Sequence, residues 1–209
     1  MTQRALLDLD FARRNLPAFG CRRDQRTSKG GLGRSACQPT AGAALLLGET
    51  MIGWRVYDVM RTIDWIETRK DLDAARIGVT GISGGGTITV FSSALDLRIK
   101  AAFASGYLCT FRDSIFSISH CIDNYVPGIL NWAEMYDVAG LIAPRPFFAE
   151  SGARDNIFPL PAFRESFSKV QSVYQSLRAP TNIGHEVFDN EHAWHGVQGI
   201  PFLARHLGA

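Results

Sequence analysis

The chain has 209 residues, 46% of them hydrophobic, and a formal net charge of +2 at pH 7. This length predicts that residues 1–209 form a single domain, since it is ample for one buried core and short for two. The small net charge argues against a nucleic-acid partner, and the lack of a run of ~18 apolar residues argues against a membrane span. The N-terminus also lacks the apolar segment of a signal peptide, so we expect a cytoplasmic protein.

Residues 12–40 form a basic, glycine-containing segment with seven Arg or Lys residues and one Asp. Because the segment holds few large apolar residues, we predict a solvated or poorly ordered loop, with a phosphate-binding arm as the alternative. The cysteines show neither C-x-x-C spacing nor the density of a disulfide scaffold, which predicts buried or idle thiols and no metal site. They are Cys21, Cys37, Cys109 and Cys121.

Apolar periodicity divides most of the chain into alternating strands and helices. From Glu49 to Thr68 apolar residues recur at helical spacing, whereas Arg76–Ile82 is a short β-branched run typical of a buried strand. Such alternation predicts an α/β fold whose mostly parallel sheet is covered by helices on both faces. The other predicted strands are Ala5–Phe11, Lys100–Gly106, Pro146–Ser151 and Thr181–Asp189, and the other helices follow Ser83 as far as Leu95 and span Ala162–Leu177 and Val197–His206.

A serine between glycines, in Gly81-Ile82-Ser83-Gly84-Gly85, joins the second predicted strand to the following helix. This pattern is typical of a nucleophile elbow, a sharp turn that exposes the serine hydroxyl. Gly81 and Gly85 would let the strand and helix pack closely, and the N–H of Gly84 is a natural oxyanion donor. The glycine patterns of Walker and dinucleotide-binding loops find no match here, so we do not expect this turn to bind a nucleotide.

A nucleophilic serine needs an imidazole to take its proton and a carboxylate to hold that imidazole. In a parallel sheet, functional groups gather beyond the carboxyl ends of the strands. Asp155 lies just beyond the strand ending at Ser151, and His192 lies just beyond the strand ending near Asp189. These two residues are therefore the predicted acid and base, with a turn cap as the alternative role for Asp155.

Other titratable groups near these turns compete for the same roles. His195 is the main rival for the base, although its position also suits the first turn of the last helix. Glu150 lies within a strand and is a weaker acid candidate than Asp155, and Glu191 is interpreted as a solvated neighbour of the base. Ordinary structural roles suffice for His120, His185 and His206.

Several short motifs follow one another along the chain from the elbow towards the C-terminus. They are Gly78–Thr87, Asp96–Ala102, Asn124–Gly128, Leu141–Pro146, Ser151–Asp155 with Phe158-Pro159, and His192–Gly196. Together these motifs resemble the α/β-hydrolase superfamily, in particular its dienelactone-hydrolase-like and acetyl-xylan-esterase-like branch. The resemblance implies a triad of Ser83, Asp155 and His192 and the hydrolysis of carboxylic esters without a cofactor. Small acyl esters such as acetyl esters are the substrate class that it suggests.

The N-terminal part departs from the pattern of this superfamily. Its members usually place the nucleophile after the fifth strand and take a second oxyanion donor from the loop after the third. Here Ala5–Phe11 resembles the fourth strand, and Ala12-Arg13-Arg14 stands where an Arg-Gly turn is usual. We therefore expect a hydrolase fold without its first three strands. Gly30–Gly33 could supply substitute donors, but a flexible linker is the preferred interpretation.

This departure leaves two functional hypotheses open. The first is a serine esterase, and the second is a catalytically weak or inactive hydrolase-fold protein that acts by binding or self-assembly. In the superfamily the third strand lies between the fourth and fifth, so Ala5–Phe11 must pair directly with Ile77–Ile82 or leave an edge open. An open apolar edge predicts a homo-oligomer. The insert Phe111–Leu130 is either a wall of the substrate pocket or a packed crossover.

Overall fold

The computed structural model describes the backbone of Leu6–Asp8 and, in full, residues 37–208. The strands are β1 (Leu6–Asp8), β2 (Ile77–Ile82), β3 (Ile99–Ser105), β4 (Phe147–Gly152) and β5 (Ile183–Phe188). The α-helices are α1 (Cys37–Leu46), α2 (Met51–Glu67), α3 (Gly84–Leu95), α4 (Met135–Gly140), α5 (Leu160–Ser176) and α6 (Gly199–His206). Short 3₁₀ helices span Ile122–Asn124, Ile129–Asn131 and Pro180–Asn182.

The strands of this part of the chain form a parallel sheet in the order β1-β2-β3-β4-β5. The predicted α/β fold with a parallel sheet is confirmed. Of the two alternatives for the first strand, the structure has direct pairing, because Leu6 is in register with Gly78 and Asp8 with Thr80. All carboxyl ends of the strands therefore meet at one edge, where a ligand site is expected.

Two apolar layers cover the two faces of the sheet. On one face Ala102, Ala104, Phe147 and Ala149 pack in a cluster with residues of α3, α4 and α5. On the opposite face Phe103 and Phe148 pack against Phe202, Leu203 and Leu207 from α6 and the residue after it. The alternation of neighbouring residues along β3 and β4 between these layers is the two-residue period of a strand buried on both faces.

Helix α2 begins and packs as its sequence predicts. The Thr50 side chain caps its first turn by accepting the N–H of Gly53 at 3.1 Å. Its buried face packs on β2 and the start of β3 through Val59, Ile63 and Ile66, which contact Ile77, Val79 and Ile99. This packing fixes the amino-terminal side of the strand that leads into the serine turn.

Two helices are absent from the sequence-based prediction. Helix α1 begins at Cys37, so the predicted loop 12–40 is wrong for its last four residues, while residues 12–36 lie outside the described part. The run of Ala and Leu in α1 has no clear apolar period, which concealed the helix. Helix α4 has only six residues, too few to show a period. None of the described helices is long and apolar enough to cross a membrane.

Candidate active site

Ser83 lies in a strained turn between β2 and α3. Its φ of 55° and ψ of −118° fall in a region that residues with a side chain rarely adopt. The N–H of Ser83 donates to the carbonyl of Ser105 at 3.0 Å, and the carbonyl of Ser83 accepts the N–H of Thr87 at 2.9 Å. These bonds hold the half-buried serine at the carboxyl edge of the sheet.

Glycines permit the close approach of strand and helix at this turn. A Cβ on Gly81 would lie 2.6 Å from the carbonyl carbon of Gly85, and a Cβ on Gly86 would lie 2.7 Å from the Cβ of Tyr107. A Cβ on Gly85 would meet nothing within 4 Å. The prediction that close packing requires glycine is therefore correct for Gly81. It is wrong for Gly85, because a Cβ at that position would have open space around it. Gly86 is the second position of this turn at which a side chain would not fit.

Asp155 and His192 meet at the same edge of the sheet. The Nδ1 of His192 lies 2.8 Å from Oδ2 of Asp155, whose Oδ1 accepts the N–H groups of Ile157 at 2.8 Å and Phe158 at 2.9 Å. The Asp155 side chain is fully buried, whereas 19% of the His192 side chain is exposed. Because an ionised carboxylate only accepts hydrogen bonds, Nδ1 of His192 carries the hydrogen. Its Nε2 is then left to accept a proton from another group.

The surroundings of Asp155 keep its carboxyl ionised. Burial by itself raises the pKa of Asp155. The hydrogen bond from His192 and those from the N–H groups of Phe158 and Ile157 act in the opposite direction and prevail, so the pKa lies below its ordinary value. The ionised carboxylate therefore faces Nδ1 of His192 and holds the orientation of the ring.

Gly106 brings the serine turn and the histidine together. A Cβ on Gly106 would lie 2.9 Å from Cε1 and 3.1 Å from Nδ1 of His192, so the ring rests directly over this glycine. The N–H of Ser83 donates a hydrogen bond to the carbonyl of Ser105, the residue before Gly106. Ser83 and His192 therefore lie at neighbouring positions beyond the end of β3. Among the described residues no hydrogen bond joins the Ser83 hydroxyl to His192, and such bonds often tighten only when substrate binds.

Gly84 is the first residue of α3, so its N–H has no acceptor within the helix. The positive end of the helix dipole adds to the attraction of this N–H for a negative oxygen beside Ser83. Gly30–Gly33, considered from the sequence as a source of a second donor, lies outside the described residues. Of the oxyanion donors considered from the sequence, the N–H of Gly84 is the one that lies in the described part of the chain.

Two buried carboxylates hold the loop that follows His192. Glu150 accepts the N–H groups of His195 at 2.9 Å and Gly196 at 2.8 Å, and Glu186 lies 3.1 Å from Nδ1 of His195. The carboxylate bonded to His192 is thus Asp155 rather than Glu150, and the rival base His195 is paired with Glu186. Glu191 is exposed, as the sequence predicts.

The group formed by Glu150, Glu186 and His195 also brings three potential metal-ligand atoms within 4.8 Å of one another. Hydrogen bonds from the protein already engage both carboxylates. A cation would have to replace those donors, so the arrangement suits a loop anchor better than a metal site.

Burial raises the pKa of the Cys109 thiol to about 12, which makes this cysteine an unreactive core residue.

The insert after β3 reaches the histidine through aromatic contacts. Phe158 stacks on His192 with ring centroids 5.6 Å apart, and His120 packs edge-on against Phe158 at 5.3 Å. The Nε2 of His120 lies 3.0 Å from the buried Ser114 hydroxyl, and burial lowers the pKa of His120. No local pattern around His120 indicates that it lies near the site. The same insert and the residues just after it expose large apolar side chains, namely Phe116, Ile118, Tyr125, Leu130 and Trp132.

Solved structures share this arrangement of strands and helices. A CE15 glucuronoyl esterase from Caldicellulosiruptor kristjansonii matches with a TM-score of 0.61 at 18% identity, over 73% of this chain and 49% of that one. A protein from Bacteroides fragilis NCTC 9343, described as an acetyl xylan esterase, matches with a TM-score of 0.59 at 21% identity, over 72% and 39% of the two chains. This chain has the α/β-hydrolase fold. The resemblance inferred from the motifs is confirmed.

Sequence comparisons give a family match that includes the serine turn and one similar hydrolase. A family described as "Acetyl xylan esterase (AXE1)" matches residues 49–136, which include Ser83 but neither Asp155 nor His192. The protein YtaP of Bacillus subtilis (strain 168), named as a hydrolase, is 31% identical over 136 residues, or 62% of this chain and 44% of that protein. This chain spans less than half the length of each of these three relatives.

Proposed function

We propose that this α/β-hydrolase cleaves carboxylic esters through an acyl-enzyme, with Ser83 as nucleophile, His192 as general base and Asp155 as the group that orients His192. The observation that carries the proposal is the 2.8 Å contact between Asp155 and His192 beside the strained turn of Ser83. A buried, ionised carboxylate bonded to Nδ1 of a partly exposed histidine is the arrangement that leaves Nε2 available as a base.

The reaction follows from these positions. The Nε2 of His192 takes the proton of the Ser83 hydroxyl as Oγ forms a bond to the ester carbonyl carbon. The negative carbonyl oxygen accepts the N–H of Gly84, and the protonated His192 then donates its proton to the departing alkoxide. Water repeats the attack on the acyl-enzyme with His192 again as base, which releases the carboxylic acid and restores Ser83.

Small acyl esters, with acetyl esters first, are the substrate class that we propose. The match to the acetyl xylan esterase family over the serine turn supports this choice.

We further propose that the insert 111–130 forms part of the pocket wall, because His120 contacts Phe158, which in turn stacks on His192. The buried Phe111 and Ile115 pack into the core, so the insert combines a packed base with an exposed outer surface.

The test compares hydrolysis of p-nitrophenyl acetate by the wild-type chain, Ser83→Ala and Ser172→Ala. Ser172 is an exposed serine on α5 and controls for loss of a hydroxyl elsewhere. We expect Ser83→Ala to lose about 10³-fold or more in kcat and Ser172→Ala to match the wild type. Equal rates for the wild type and Ser83→Ala would refute the proposal.

A second measurement covers the case of a slow enzyme. A missing oxyanion donor can lower the rate by about 10²–10³-fold, so turnover could be weak with the catalytic residues in place. An organophosphonate that reacts with activated serines should label the wild type stoichiometrically and leave Ser83→Ala unlabelled. Absence of both turnover and labelling would favour the second candidate function, a hydrolase-fold protein that acts by binding or self-assembly.

A further inference from the structure

A row of polar side chains crosses three neighbouring strands next to the proposed site. Ser105 on β3 is in register with Glu150 on β4, and Glu150 is in register with Glu186 on β5. Residues in register across a sheet point to the same face. These three lie on the face covered by α6, because Phe103 and Phe148, two residues before Ser105 and Glu150, pack against that helix.

Glu150 is the centre of this row and is almost fully buried. Only 1% of the residue is exposed. Its Oε1 accepts the Ser105 hydroxyl at 2.6 Å and the N–H of His195 at 2.9 Å, and its Oε2 accepts the N–H of Gly196 at 2.8 Å. A buried carboxylate is costly unless several donors compensate it, and here two of the three donors belong to the loop after His192.

The loop that carries His192 is consequently held on both sides. Before His192, the carbonyl of Asn190 accepts the N–H of Arg154 at 2.9 Å, which ties the loop to the turn of Asp155. After His192, Glu150 holds the N–H groups of residues 195 and 196. Glu186 adds a bond from the N–H of Gln198 at 3.1 Å. The His192 ring therefore sits in a span of a few residues with fixed ends.

We propose that Glu150 is a positioning residue for His192: its carboxylate fixes the backbone of the loop so that the ring stays over Gly106 with Nδ1 on Asp155. Glu150 does not touch the reacting atoms in this role. The proposal rests on the function proposed for Ser83, Asp155 and His192. It explains why a strand in the middle of the sheet carries a buried acid that is not the acid of the triad.

The test uses Glu150→Gln in the full chain. The variant has nearly the same shape, but its amide nitrogen faces a backbone N–H where the carboxylate presented an acceptor. We expect kcat to fall about 10- to 100-fold, with KM within about twofold, because a displaced base slows the chemical step more than substrate binding. The rate of labelling by the organophosphonate should fall in parallel, and the amide hydrogens of His195 and Gly196 should exchange faster.

Tyr174→Phe is the matched control for loss of a buried hydrogen bond. The Tyr174 hydroxyl donates to the carbonyl of Arg145 at 2.6 Å, at the opposite end of β4 from Glu150. Circular dichroism establishes that each variant is folded, and its melting temperature measures the loss of stability. Unchanged kcat in Glu150→Gln, or an equal fall of kcat in Tyr174→Phe at the same loss of stability, would overturn the positioning role.

Two further experiments test the positioning role if the first variant does not fold or the wild type is inactive. If Glu150→Gln does not fold, Glu150→Asp replaces it, since it keeps the charge but withdraws the carboxylate from the loop by one methylene. If the wild type neither turns over nor is labelled, the proposed function fails by itself. The low-field NMR signal of the His192 Nδ1 proton then decides the positioning role: it must be present in the wild type and lost in the Glu150 variant, and its persistence would overturn the inference.

Discussion

Replacing Gly106 by Ala should displace His192 while leaving the rest of the sheet in place. The new Cβ would lie 2.9 Å from Cε1 of the ring, against an ordinary contact of at least 3.4 Å, so the ring must move by about 0.5 Å. A misplacement of ~1 Å can cost 10²-fold in rate, and about tenfold in kcat is expected here, equivalent to ~1.4 kcal/mol. The positive φ of 51° adds a cost of ~1–2 kcal/mol in folding stability.

The matched control for this change is Gly48→Ala. Gly48 has a φ of 73° but open space around the added Cβ, so it carries the backbone cost without a contact at the site. The assay is kcat on p-nitrophenyl acetate together with thermal unfolding for both variants. We expect similar losses of stability and a loss of kcat confined to Gly106→Ala. Equal kcat values in the two variants would refute the view that the close approach of His192 to Gly106 matters for catalysis.

Two other predictions concern acid stability and assembly. The depressed pKa of Asp155 stabilises the fold fully above the unfolded value of about 4, and this stabilisation is lost as pH falls through the lower folded value. The free energy of unfolding of Asp155→Asn should therefore depend less steeply on pH below about 4 than that of the wild type, and parallel curves in acid titrations would contradict this. Because β1 lies at one edge of the sheet formed by the described strands, we also expect self-association at micromolar concentration, and light scattering that gives only the 23.0 kDa monomer would argue against it.

Local sequence signals predicted most elements because each rests on a short-range rule. The apolar period from Glu49 to Thr68 corresponds to α2, and the β-branched run ending at Ile82 corresponds to β2. The glycines around Ser83 indicated a sharp turn, which the positive φ of this serine bears out. Helix α1 was missed because its Ala- and Leu-rich stretch lacks the period on which such predictions depend.

The sequence by itself determined the type of fold. It also indicated the three residues proposed for the site, because strand ends and turn glycines can be recognised within a few neighbouring residues. Only the tertiary structure decided which carboxylate holds His192, since Asp155 and Glu150 are both close to the end of β4. It also decided which donors the Glu150 carboxylate accepts, because they come from β3 and from the loop after β5. The physical reason is that register between strands is set by the packing of the whole sheet, which no local pattern in the chain contains.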